Sequence, residues 1–293
     1  MRSSLDELYV GFDHVHSATD PVHIVRRFSD PADREVVGFC AAGLAFGRVA
    51  SVLQSIEALL ALMGPRPARF VRSFDPAVEK KRFEPLGHRW IRGRDLLALM
   101  LVLRRMLRDH ASIEAFFAAG DDAAAPDVRD ALESFSSRAL ETDLRAAYGP
   151  HLPSRAGVGY FFPRPSGGSA CKRLNLFLRW MVRRDAIDLG VWRSPTPSRL
   201  VVPLDTHVVR LGQCLRLTQR VSPGWAMASD ITASLRAIDH QDPVRYDFSL
   251  CHVGMMNACG FNRVQRDAQC PLRGVCQPRV RRPRSSPRPS VPR

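Results

Sequence analysis

Lysine is almost missing from this chain: Lys80, Lys81 and Lys172 stand against forty arginines in 293 residues. Arginine holds a phosphate as well as lysine does, but it is not deprotonated in a protein, so amine chemistry by a side chain is confined to those three positions. Of the three only Lys172 stands alone. Long apolar runs are also missing, and without a stretch of 18 such residues no membrane span is expected. The first 30 residues carry Asp6, Glu7, Asp13 and Asp20, which does not fit a secretory leader. The seven cysteines are scattered and odd in number, which argues against a disulfide framework and for a reducing cytoplasm. No convincing alternating strand and no internal repeat is found.

What is there is basic and helical. The formal charge is +14, and six of the charges are arginines in the last 15 residues, which leaves about +8 on the rest. That excess points to a polyanionic partner. Hydrophobic residues make up 45% of the chain, enough for a substantial core. Helical patterning predicts a long buried helix from Asp33 to Met63, with Asp33 as its N-cap and Gly64-Pro65 as its stop. Further helices are predicted over 94–107, 127–148, 225–238 and 243–256. The Gly- and Pro-rich stretch 149–168 and the Pro-containing stretch 185–202 read as connectors. The fold class is all-α, with one domain over 1–277 and an Arg/Pro/Ser tail over 278–293 that is expected to be disordered.

The chemistry gathers around Lys172. Ser166-Gly167-Gly168-Ser169 reads as a glycine turn feeding the helix that holds Lys172, with hairpin and helix spanning about 163–185. Backbone N–H groups of such a turn can hold a phosphate. Within the helix, Leu174, Phe177, Leu178 and Met181 form an apolar stripe. Lys172, Asn175, Arg179 and Arg183 recur at three- and four-residue steps, which predicts a separate basic face that contacts nucleic acid. Asp205 stands thirty-three residues after Lys172, within Pro203-Leu204-Asp205-Thr206-His207-Val208-Val209-Arg210. There Asp205 supplies a carboxylate at a predicted helix start, while Thr206 and His207 fix the turn. An ordinary lysine amine is free at only about one part in a thousand at neutral pH, so nucleophilic chemistry calls for a desolvated site beside other cations such as Arg173 and Arg179.

At these residues the chain resembles the helix-hairpin-helix DNA glycosylases, whose signature is a hairpin lysine followed by V-D-T-H-V-x-R. Leu204 replaces the first valine, the rest matches, and Lys172-Arg173-Leu174-Asn175 fits the family's K-x-x-N. The resemblance is closer to an uncharacterised bacterial family that looks like a branch of that superfamily. It is carried by 35–48, 70–76, 168–183, 203–210 and 242–248, and spreads over roughly 20–277. It implies two helical lobes with DNA between them, and a nucleotide flipped out of the duplex for base excision. Lys172 and Asp205 would be catalytic, the first as nucleophile or activator of water and the second as the charge facing a cationic sugar. Strand cleavage as an abasic-site lyase can follow.

The contacts to nucleic acid implied are Gly167, Gly168, Ser169, Arg173, Asn175, Arg179, Arg183 and His207, with Arg48 filling the gap left by the flipped base. The gap of 33 between lysine and aspartate is wide for the superfamily, but the archaeal 8-oxoguanine glycosylases of the AGOG type have a similar one. Some members hold an iron–sulfur cluster. Here Cys270 and Cys276 reproduce only its final C-x₅-C, Asp267 stands where a further cysteine belongs, and Cys259 and Cys251 lie at irregular distance. An intact cluster is therefore not expected, and no cofactor is required. Cys40, Cys171 and Cys214 read as core residues. Between Arg66 and Arg94, arginines and lysines alternate with Phe70, Phe74, Phe83 and Trp90, which suits either base stacking or a loop core. The expected partner is DNA or RNA, in the cytoplasm and on the nucleoid when bound. The alternative to catalysis is a binding protein of the same fold.

Overall fold

The computed structural model describes residues 1–255 and 270–276. The tail 278–293 and Cys259 lie outside the described residues. Within them the chain forms fourteen α-helices and one two-stranded hairpin. The helices are α1 (Arg2–Val10), α2 (Val22–Arg26), α3 (Pro31–Leu44), α4 (Val49–Met63), α5 (Pro67–Arg72), α6 (Pro76–Phe83) and α7 (Gly93–His110). They continue with α8 (Ile113–Ala118), α9 (Arg129–Leu140), α10 (Arg145–Tyr148), α11 (Lys172–Val182), α12 (Thr206–Cys214), α13 (Trp225–Arg236) and α14 (Asp247–Met255). The all-α class holds. Strands β1 (Gly87–His88) and β2 (Ile91–Arg92) pair antiparallel, a feature too short for sequence alternation to register. No helix among the described residues is long and apolar enough to cross a membrane.

The centre is α3, buried from Glu35 to Leu44. Such burial needs close neighbours, and two glycines supply the room. A Cβ at Gly38 would stand 2.9 Å from Met181 Cε, and one at Gly43 would stand 2.7 Å from the Phe161 ring. The first contact lets α11 lie directly against α3, running the opposite way. The start of α11 therefore meets the end of α3, which places Lys172.

The predicted helix over 33–63 is two helices. Gly47, with φ +100°, breaks it between Ala45 and Arg48. The apolar pattern runs through the break, so periodicity alone does not mark it. Asp30, not Asp33, caps α3, accepting from the backbone N–H groups of Ala32 (2.8 Å) and Asp33 (3.2 Å). Asp33 instead accepts from Ala68 N (2.7 Å) at the start of α5. Glu35 accepts from Ile113 N (3.1 Å) and Glu114 N (2.9 Å) at the start of α8, with burial pushing its carboxyl up. The central helix thus uses two buried carboxylates to satisfy the open ends of its neighbours. The predicted helix over 127–148 is likewise split into α9 and α10.

Candidate functional site

The glycine turn is built as a platform for α11. Pro165–Gly167 make one turn of 3₁₀ helix, and Gly168 follows in the left-handed region at φ +78°. Ser166 fixes the turn to α9, donating to Glu133 from its backbone N (2.9 Å) and its Oγ (2.7 Å). Gly168 O accepts from Trp225 N (3.2 Å). Ser169 Oγ accepts from Cys171 N (3.1 Å), and Cys171 itself takes φ +48°, a conformation a non-glycine residue rarely adopts. Gly167 and Gly168 are exposed, and a Cβ at either would meet nothing. Asn175 is buried, donating from Nδ2 to Ala170 O (3.0 Å), so it ties helix to turn.

Lys172, the first residue of α11, is half-buried, with Nζ 3.4 Å from Ala45 O at the end of α3. Among the described residues it forms no ion pair. Beside it Arg173 Nη1 donates to Gly43 O (3.4 Å), and its guanidinium lies 3.2 Å over the Tyr160 ring; burial lowers its pKa to about 10. Both cations meet the negative end of α3.

Asp205 caps α12 as the sequence suggests. Its Oδ1 accepts from His207 N (2.8 Å) and Val208 N (2.7 Å). Its Oδ2 accepts from the Cys251 thiol at 3.1 Å. Burial, and then the charge of Asp205, push that thiol well above the ordinary range, while Lys172 pulls it the other way. Cys251 thus carries the hydrogen bond to the carboxylate, and the Lys172 charge acts on the same thiol. Behind them, burial pushes Asp247 up to about 7, against the pull of Arg179 and with the charge of Asp205 adding to the rise. Asp247 and Cys251 lie one turn apart on α14. Their spacing is visible in the sequence, but nothing there ties α14 to α12.

The expected basic face of α11 is corrected. Arg179 and Arg183 point into the core, each with its side chain 3% exposed. Arg179 pairs with Asp188 (3.1 Å) and Asp247 (2.5 Å). Arg183 pairs with Asp188, Asp185 (2.8 Å) and Asp242 (2.8 Å). Both side chains are committed to internal carboxylates and cannot meet a phosphate. Periodicity separates apolar from polar faces, but a buried ion network carries the same pattern as a solvated one. Arg48 is exposed at the N-terminal end of α4. His207 is half-buried, its Nδ1 without a hydrogen-bond partner among the described residues. Cys270 is buried and Cys276 half-buried, its thiol donating to Arg273 O at 3.4 Å. Among the described residues no three His, Cys, Asp or Glu side chains could hold a metal ion. Cys40, Cys171 and Cys214 are buried core residues.

The network has a stability consequence. Arg179→Met leaves Asp188 and Asp247 without their shared cation in a dry interior, at an expected cost of about 3–5 kcal/mol. Arg27→Met, which breaks an exposed pair with Glu57 (2.9 Å), should cost less than about 1 kcal/mol. Denaturant unfolding of both variants checks this, and equal, small losses would refute a stabilising role for the buried pairs.

The fold and site define an all-α protein with a lysine at the start of one helix and an aspartate capping another. Residues 20–256 match the family model described as protein of unknown function (DUF2400), and the chain belongs to that family. No curated protein and no solved structure matches it.

Proposed function

We propose that the protein is a two-lobed helix-hairpin-helix base-excision enzyme acting on DNA, with Lys172 and Asp205 as its working pair. The observation that supports the reading is the pairing of a lone lysine at the start of α11, its Nζ against the end of α3, with a helix-capping carboxylate at Asp205 whose second oxygen accepts from the Cys251 thiol. In this reaction a free Lys172 amine attacks C1′ of a flipped nucleotide. The glycosidic bond breaks, and the base leaves with its electron pair and takes up a proton. Asp205 faces the positive charge that builds on the sugar. Loss of protons from the attached amine and opening of the sugar ring give an imine, from which β-elimination breaks the C3′–O bond. The backbone N–H groups of Gly167 and Gly168 are spent inside the turn, on Arg164 O (3.2 Å) and Pro165 O (2.9 Å), so what the exposed glycines contribute beside Lys172 is room for close approach of the DNA backbone, with Arg48 exposed for a phosphate contact. A panel of duplexes carrying 8-oxoguanine, uracil or alkylated bases tests the reading. Release of one base class by the full chain supports it, and release of none while the duplexes are bound refutes it.

A second reading rests on the contact of Lys172 Nζ with Ala45 O. In a non-catalytic DNA- or RNA-binding protein, that amine would serve as a helix cap and no covalent chemistry would follow. Both readings require an electrostatic grip on nucleic acid. Affinity for duplex DNA should fall steeply with salt, and removal of 278–293 should weaken binding without ending it. Fluorescence anisotropy at several salt concentrations measures both effects, and binding insensitive to salt contradicts both readings.

A further inference from the structure

The hairpin formed by β1 and β2 carries Arg89 and Trp90 at its turn. Trp90 is 50% exposed, whereas Trp180, Trp192 and Trp225 are 0%, 5% and 8% exposed. This exposed tryptophan belongs to a cluster of three rings, tilted or edge-on to one another. Phe46 is 4.8 Å from Trp90 and 4.9 Å from Tyr160, and Tyr160 is 5.2 Å from Trp90, all between ring centroids. Arg173 lies over Tyr160 (3.2 Å), and the Arg89 guanidinium is 5.2 Å from the Trp90 ring centroid. His88 anchors the hairpin, with Nε2 2.7 Å from Phe46 O and Nδ1 3.0 Å from Ser55 Oγ. The cluster is therefore fixed before any ligand arrives.

Its position and charge say what it fits. Phe46 follows Ala45, whose carbonyl meets Lys172 Nζ, so the cluster adjoins the candidate site. Arg89 lies over Trp90, and Arg48, two residues after Phe46, and Arg92, two residues after Trp90, are exposed. On the other side the hairpin and α4 wall an open groove of about 390 Å³ lined by Ser51, Gln54, Ser55, His88 and Arg89 among others. Ring faces stack on any base, guanidinium groups take phosphates, and a polar trough beside them can carry the sugar–phosphate chain.

We propose that Trp90, backed by Phe46 and Tyr160 and flanked by Arg48 and Arg89, is a stacking seat for an unpaired base of DNA next to the reactive pair. The substrate class is then DNA with an unpaired stretch or an extruded base rather than an intact duplex. This inference rests on the excision reading for its partner, and it is tested separately from the chemistry.

The test uses the full chain and the emission of Trp90, the exposed tryptophan. Titration at low salt with a short oligothymidylate and with a matched intact duplex should quench emission much more strongly for the single strand. Trp90→Ala should weaken single-strand binding about five- to a hundred-fold, change duplex affinity less than about twofold, and be rescued by Trp90→Phe. Equal quenching by both ligands, no quenching on bound DNA, or unchanged affinity of Trp90→Ala for the single strand would overturn the seat. Circular dichroism establishes that the exposed substitution leaves the fold intact. Base release by Lys172 without Trp90 quenching removes this inference alone. Quenching without base release keeps the seat and removes the excision reading.

Discussion

Lys172→Arg is expected to keep DNA binding and to abolish every covalent adduct between protein and abasic DNA. The substitution retains the positive charge, nearly the same reach and a donor for Ala45 O, so the contact that now orders the side chain can persist. What it removes is the free amine, because a guanidinium does not deprotonate in a protein and cannot attack C1′. Borohydride reduction of the complex and a denaturing gel read the outcome directly. The adduct band should vanish while anisotropy reports an affinity within about threefold of the original, a change of less than ~0.7 kcal/mol. Full excision by the arginine variant would rule out amine attack, and a lost adduct with lost binding would assign Lys172 to the grip on DNA.

Asp205→Asn should lower the excision rate about a hundred- to a thousand-fold, the effect of losing one oriented electrostatic group worth ~2.7–4 kcal/mol at a transition state. The variant isolates charge from shape. Asparagine caps a helix as well as aspartate does, so the bonds from His207 N and Val208 N can be kept and melting should change little. Single-turnover kinetics with saturating enzyme separates this from binding. A rate within a few-fold of the original, with melting lowered by many degrees, would make Asp205 a helix cap and nothing more.

The all-α class, the glycine turn, the start of α11 and the cap at Asp205 were legible in the sequence, because each depends on local spacing and on residues with one strong conformational preference. The stripe of Leu174, Phe177, Leu178 and Met181 is buried as its period requires. Three things were not legible. The break at Gly47 hides in an apolar run that continues on both sides. Arg179 and Arg183 look like solvent-facing cations until Asp185, Asp188, Asp242 and Asp247, from two other segments, close around them. Cys251 has no signal that joins it to Asp205, since the bond depends on how α14 lies beside α12. Local pattern gives the direction of a side chain relative to its own helix, and long-range packing decides whether that direction is solvent or core.

The identity of the nucleophile is the point on which the account turns. The full chain is incubated with an oligonucleotide bearing a single abasic site and reduced with borohydride, and the conjugate is digested and mapped by mass spectrometry. The sugar remnant should be found on the fragment containing Lys172. A remnant on Lys80 or Lys81, or no conjugate from a protein that holds the oligonucleotide, would contradict it.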